Sequence, residues 1–338
     1  MTGRLLSVPE MLAPALAVLT PVAATRIALR DALGAVPTAA ILAPRALPVG
    51  NIALRGGHAV AALDLVGASP HSPVMLPAMP PRVQAGETLP EGTDAVLPPE
   101  GLTDKRAFVE VSRVVAPGED VRFTGQDLAA GALLVPAGVP LEARHLLVLS
   151  LAGIEMIDAR RPLVRLPDEE RPEAAWLATA CRALGCSVSA PGGQADLTLD
   201  WSDTQSPVLA LNPGGLAHLR LAAGHPPAVL LPRRFDGMIA AFVALALPLI
   251  ERLADRRIAP ASRPLTRKIA SSVGIAEIVL LRSLPEGYRP LAVGDITLAA
   301  LAEADRIALV APESEGAAAG SMLAAWPLAL SFPDQAGP

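Results

Sequence analysis

Aromatic side chains are scarce in this sequence: five Phe, three Trp and one Tyr make up 3% of 338 residues. A core must therefore come from Ala, Leu and Val, in short elements, because 35 Pro and 27 Gly cut the chain with frequent turns. Charge is thin as well, at 18% of residues with a net charge of -5 and no basic block. That leaves no electrostatic footprint for nucleic acid, although local arginine clusters can still hold a small anion. No membrane span is expected, since the most apolar windows, 145–157 and 237–250, fall short of the ~20 residues needed and the second carries Pro248. Cysteine is reduced to Cys181 and Cys186 in "CRALGC", a spacing that fits neither C-x-x-C redox chemistry nor a paired zinc motif. Buried thiols near a helix end are the expectation, and so few cysteines suit the cytoplasm. His58, His71, His145, His218 and His225 are scattered without ligand spacing. The G-x-S-x-G, Walker A and G-x-G-x-x-G loops are missing, so hydrolase, NTPase and dinucleotide chemistries lack their defining turns.

What is present, at 51% hydrophobic residues, suits a folded chain of two or three domains. Near the N-terminus "MLAPALAVLTPVAA" after Arg4 has the apolar run of a secretory segment. Ser7 and Glu10 in "SVPE", however, have capping-box spacing with Pro9 in a first turn, which favours a folded helix. "TRIALRDALG" reads as a helical continuation to a stop at Gly34, and residues 35–127 read as strands and turns. A strand, a turn and a helix starting near Leu141 follow, and "EMIDARRPLVRLP" returns to strand.

From 163 to 258 strands alternate with helices: "PLVRLP", "PEAAWLATACRALG", "SVSA", "ADLTLDW", "PVLALNPG", "AVLLP" and a long helix from Asp236. That alternation predicts an α/β layer with a largely parallel sheet and a ligand site at the carboxyl ends of its strands. Residues 259–338 read as a small β domain of Pro-bounded strands.

The junction "LLPRRFDG" is the most suggestive local feature. Asp236 can accept from the free amides of the helix it opens. Arg233 and Arg234 sit where a strand end meets a helix N-terminus, so they form either an anion site or a pair of solvated surface arginines. Pro213, Gly214 and Gly215 follow a strand, in a turn where backbone can approach a ligand closely. Asp127, Asp168 and Glu169 are carboxylates at turns and strand ends, suited to cation binding, proton transfer or plain capping.

Taken in order, these segments resemble the molybdopterin molybdotransferase family of MoeA/gephyrin type across almost the whole chain. "LPEGTDAVLPPE" is similar to that family's P-x-G-A-D-A-V-V-x-x-E, and "VRFTGQDLAAGALLVPAGVPL" to R-x-x-G-E-D-I-x-x-G-x-x-L-x-x-x-G. "ALGAVPTAAILAP" looks like its opening helix and strand, "ALRGGHAVAALD" like its DGYA segment, and "RRPLVRLPDEE" like the strand ending in T-G-D-E-L. "LNPGG" and "LLPRRFDG" stand in the K-P-G-K-P and L-P-G-N-P slots.

The resemblance implies an elongated α/β plus β chain in four parts. These are a helical domain at 1–45 with a return at 130–162, an inserted β domain at 46–129, a shortened molybdopterin-binding α/β domain at 163–258 and a C-terminal β domain at 259–338. It implies a homodimer with an inter-subunit cleft, using molybdopterin or its adenylylated form, molybdate and Mg2+, with a molybdoenzyme or another cofactor-biosynthesis protein as a further partner. Asp127, Asp168 and Glu169 match the family's catalytic carboxylates, the last two also as metal ligands; Asn212, Pro213, Gly214, Arg233, Arg234 and Asp236 match its cofactor-binding turns. The departures lie in the same places. Gly56 stands at the DGYA aspartate, Asn212 and Gly215 at two lysines, and the G-G-V-S-x-G loop has no counterpart. The only lysines are Lys105 and Lys268, so arginine must supply the charge that lysine does in the family, and Arg233 with Arg234 is the expected clamp.

Overall fold

A computed structural model describes residues 4–190, 192–256 and 258–328. The last residues of the expected C-terminal domain, including the end of "MLAAWPLAL", lie outside them. The chain divides into two compact units, one of Met1–Ala39, Pro136–Leu147 and Glu155–Pro338, the other of Ala40–Val135 and Val148–Ile154.

The first unit opens with the helix Val8–Val18, and the capping box is present: Glu10 N–H donates to Ser7 Oγ, and Ser7 N–H donates to Glu10. Its Val8, Met11, Leu12 and Ala15 join the main core. Residues 25–34 are not a helical continuation. Thr25–Ala28 is a strand paired antiparallel with Met156–Arg160, and a short 3-10 turn, Leu29–Asp31, precedes Gly34. One helical turn of pattern was outweighed by a full row of cross-strand hydrogen bonds to a distant segment, which no local periodicity reports.

The α/β layer has five strands in the order Ser187–Ser189, Leu163–Arg165, Leu197–Trp201, Ala228–Leu231, His218–Arg220. The first four run parallel, and the edge strand His218–Arg220 is antiparallel. Helix Pro172–Ala183 crosses between the strands Leu163–Arg165 and Ser187–Ser189 and buries Ala174, Leu177, Ala180 and Cys181. Both Cys181 and Cys186 are buried thiols, as expected, and burial pushes the Cys186 thiol up to about 12.

"PVLALNPG" departs from the expected layer. Its strand Leu211–Asn212 pairs in parallel with Ala276–Leu284 of a six-stranded sheet, not with the α/β strands. That second sheet is covered on both faces, because successive side chains of a strand point to opposite sides. Ile278 and Leu280 enter the main core, while Val279 and Leu281 pack with Leu265, Tyr288 and Ala308. The described part of the C-terminal segment is β-rich as expected, and its helix Leu298–Glu303 is capped by Thr297.

Helical structure runs continuously over Phe235–Ala254, 20 residues, longer than the apolar window implied. A π-turn at Phe242–Ala246 precedes Pro248 and absorbs the break in hydrogen bonding that a residue without an amide hydrogen imposes. By length and composition this helix is able to cross a membrane, yet 78% of its apolar window is packed inside the protein, so an all-round apolar surface reflects core burial.

The second unit is made of small sheets. Gly57–Val60 pairs with Arg82–Val83 and Ala95–Leu97, and Val109–Val111 pairs with Val74–Leu76 and Leu102–Asp104. Alternation again splits one strand between two cores: Ala95 and Leu97 face one, Val96 the other.

Candidate functional site

The parallel sheet has a topological switch. From Leu163–Arg165 the chain moves to one side through Ser187–Ser189, then returns to the other side as Leu197–Trp201. Loops leaving the carboxyl ends of two strands diverge there, which opens a crevice where α/β proteins place ligands. Residues 166–171, Trp201 and residues 232–236 all follow carboxyl ends in this region.

Their side chains meet. Arg233 Nη1 donates to both carboxylate oxygens of Glu169 at 3.1 Å. The Arg233 guanidinium also stands 5.9 Å from the centroid of the Trp201 ring, and that of Arg171 stands 5.8 Å from the same ring. The negative face of the indole attracts both cations. Trp201 is itself 5% exposed, and its indole nitrogen is buried without a hydrogen-bond partner among the described residues. Glu169 offsets the repulsion between the two arginines, and Glu173 balances Arg171 at 3.4 Å. Beside this group an open concavity of about 520 Å³ is lined by Leu166, Pro167, Glu169, Arg171, Val188 and Ser189.

The expected clamp is thus reorganised. Arg233 belongs to the group around Trp201, but it is held by a carboxylate, and an incoming anion must exchange with Glu169. Arg234 is 74% exposed and pairs with Asp236 at 3.1 Å. Asp236 does accept from the helix opening, through the Gly237 N–H at 2.8 Å, so it occupies the amide that an anion would otherwise use. Asp168 is exposed. Asp127 lies in the second unit, where Arg122 pairs with it at 2.8 Å. The donor set does not fit a resident divalent cation. Among the described residues no group of three or more His, Cys, Asp or Glu stands together, and Glu169 is already neutralised by Arg233.

The turn after Leu211–Asn212 packs against the same helix opening: a Cβ placed on Gly237 would lie 3.7 Å from the Gly214 Cα. Asn212 is fastened from the other side, since its Nδ2 donates to Glu277 Oε1 at 2.9 Å. Glu277 Oε2 accepts from Ser271 Oγ at 2.8 Å and from the Ser272 N–H at 3.1 Å. Burial pushes this carboxyl up, but the three hydrogen bonds outweigh it and hold the pKa below the ordinary carboxylate value. Gly294 closes over the pair, where a Cβ would fall 2.4 Å from both Asn212 Nδ2 and Glu277 Oε1.

Glu277→Gln is expected to lower stability by about 1–3 kcal/mol, because one amide edge presents donors to donors. A depressed folded pKa makes the carboxylate's contribution present above the unfolded value and lost as pH falls through the folded one. Urea midpoints of wild type and variant should therefore converge once the pH falls below the depressed folded value. A gap that persists unchanged into acid would show that the carboxylate charge is irrelevant.

Arg171, Trp201 and Glu277 were not singled out by sequence reading. Trp201 ends a strand in "LTLDW" and Arg171 follows "PDEE", so both were visible as strand-end residues of the α/β layer, but only the strand order shows that they meet.

Residues 6–153 match the family model described as MoeA N-terminal region (domain I and II). A molybdopterin molybdenumtransferase 2 of Mycobacterium tuberculosis is 31% identical over 160 residues, 40% of this chain and 38% of that one. A putative molybdopterin biosynthesis protein of Methanocaldococcus jannaschii is 32% identical over 136 residues, 38% of this chain and 34% of that one. The chain thus spans well under half the length of the curated relatives it matches. In fold the likeness is wider. A crystal structure of a molybdopterin biosynthesis moeA protein from Pyrococcus horikoshii OT3 covers 96% of this chain and 100% of its own, with a TM-score of 0.67 at 18% identity. A molybdenum cofactor biosynthesis protein from Pyrococcus furiosus superposes with a TM-score of 0.58 at 13% identity, again over 96% of this chain and 100% of its own. The N-terminal part of the chain is thus similar in sequence to the MoeA N-terminal region, and its multidomain α/β plus β fold is similar to that of MoeA proteins over nearly the whole length.

Proposed function

We propose that this chain acts in molybdenum-cofactor biosynthesis or handling, binding molybdopterin or adenylylated molybdopterin through phosphate oxygens at the carboxyl edge of the parallel sheet. The observation that carries the reading is the pair of guanidinium groups over Trp201 at the topological switch, one of them held by an exchangeable carboxylate. Guanidinium binds phosphate through paired donors, and the apolar wall of Leu166, Pro167 and Val188 beside it suits an organic ligand rather than a bare ion.

In this reading insertion of molybdate is weak or lost. The α/β segment has no lysine, Glu169 is engaged by Arg233, and residues 202–207 form a short link where the family carries its glycine-rich loop. Any magnesium enters with the phosphates of the substrate, which is how that ion is commonly held. The four-part division at 1–45 with 130–162, 46–129, 163–258 and 259–338, a cytoplasmic homodimer and a molybdoenzyme as recipient complete the proposal.

Purified protein incubated with adenylylated molybdopterin, molybdate and magnesium separates the possibilities. The expected result is retention of intact cofactor with little AMP released, and loss of retention in the Arg171→Ala/Arg233→Ala double variant. AMP release at each turnover would instead mark an active molybdotransferase. No retention by the wild type would reduce the chain to a scaffold for a molybdoenzyme and overturn the reading.

A further inference from the structure

The amino end of the parallel sheet holds a second arginine site that the reading above does not use. Arg161 and Cys186 immediately precede the parallel strands, and Arg256 follows the end of the long helix. Arg256 is 8% exposed, and its Nη1 donates to the Gly34 carbonyl at 3.3 Å, a long bond. Its Nε and Nη2 have no hydrogen-bond partner among the described residues. These two nitrogens form one edge of the guanidinium, the edge whose parallel N–H groups bind two oxygens of a single anion.

Burial pushes the Arg256 guanidinium down from its ordinary value, and the nearby Glu251 charge opposes that shift without cancelling it. The neighbouring carboxylates are engaged elsewhere. Asp255 pairs with Arg160 at 3.4 Å, and Glu251 accepts from the Ile258 N–H. Cys186 remains a thiol at neutral pH and supplies no negative charge. Arg256 does line a concavity of about 560 Å³, together with Leu16, Pro248, Glu251, Arg252 and Asp255.

We propose that the Nε and Nη2 edge of Arg256 binds an oxyanion offering two acceptor oxygens, a phosphate or sulfate group, from the concavity at the amino end of the parallel sheet. The free edge is out of water contact, so binding turns the side chain towards the wall it lines, at the expense of the long bond to Gly34. Arg252 lines the same concavity, and Arg160 pairs with Asp255 of its wall, so both balance the anion against Glu251 and Asp255. This site is independent of the proposed cofactor site, because Arg171 and Arg233 stand at the opposite ends of the same strands.

Inorganic phosphate is the probe, exchanged against chloride at constant ionic strength. At tenfold over Kd it is expected to raise Tm by roughly 2–4 °C. Arg256→Lys keeps the charge but loses the paired edge and should abolish that rise, whereas Arg171→Ala/Arg233→Ala should retain it. In the unsubstituted protein the arginine Nε–H resonance assigned to Arg256 should be protected from exchange and shift on phosphate addition, a readout that survives if the lysine variant fails to fold. A Tm rise kept by Arg256→Lys and lost by the double variant would place the anion at the other site. An Arg256 resonance that does not move would mean that interior water alone satisfies the guanidinium, and either result overturns the proposal.

Discussion

Gly185→Ala is expected to destabilise the first unit by about 4 kcal/mol or more, enough to prevent accumulation of folded protein. Gly185 has a φ of +73°, a left-handed conformation that costs an alanine about 1–2 kcal/mol before any contact is considered. The contact is worse. An added Cβ would fall 2.1 Å from the Gly34 carbonyl oxygen and 2.6 Å from the Ala35 nitrogen, both backbone atoms that no side-chain rotation can move aside. Gly34 is itself left-handed, at φ +74°, and a Cβ there would fall 2.7 Å from the Ala183 oxygen. The two glycines therefore let the turn before Thr38 pass against the end of helix Pro172–Ala183. Gly224→Ala is the control, since its φ is also +74° but nothing stands within 4 Å of the added carbon, and it should cost only about 1 kcal/mol. Equal urea midpoints for the two variants would mean that this close backbone crossing does not exist.

Trp201→Ala is expected to cost about 3–5 kcal/mol of stability, as removal of a large buried ring generally does. It should also weaken retention of adenylylated molybdopterin by roughly tenfold, because Arg171 and Arg233 lose the surface that holds them side by side. Trp201→Phe separates the two effects. Phenylalanine keeps an aromatic face for the guanidinium groups and removes the indole N–H that is buried without a partner among the described residues. It should restore most of the stability and bring affinity back to within about threefold of wild type. If the alanine and phenylalanine variants bind equally well, stacking on residue 201 has no part in recognition.

Legibility in the sequence varied with the range of the interactions involved. The capping box at Ser7 and Glu10, the parallel strands of the α/β layer and the Pro-bounded strands after residue 259 are all local signals, and each is present in the structure. "TRIALRDALG" misled because four residues of it are a strand whose partner lies at 156–160, more than a hundred positions away. "PVLALNPG" was correctly read as a strand but assigned to the wrong sheet, because Leu211 and Asn212 pair with Ala276 and Glu277. Strand identity can be local; strand partnership is not.

The candidate site follows the same rule. Arg233, Arg234 and Asp236 were conspicuous as a charged cluster in an apolar run, and Asp236 performs the helix-opening role that its position indicates. Whether the arginines were free to hold an anion depended on Glu169, 64 residues earlier in the chain, and on Trp201 between them in the sheet order. Lysine scarcity was equally plain, and it required arginine to carry positive charge, without telling which arginines would be buried unpaired.

Composition, periodicity and motif order alone determined the kind of protein: an aromatic-poor, arginine-charged chain with β-rich segments flanking an α/β layer. These properties act within a turn or a strand, so the sequence displays them directly. Tertiary structure decided which carboxylate faces which guanidinium, leaving Arg233 with Glu169 and one edge of Arg256 without a hydrogen-bond partner among the described residues. Such pairings arise from strand order and from backbone crossings such as Gly34 with Gly185, where residues remote in the chain come within bonding distance only after the sheet has formed.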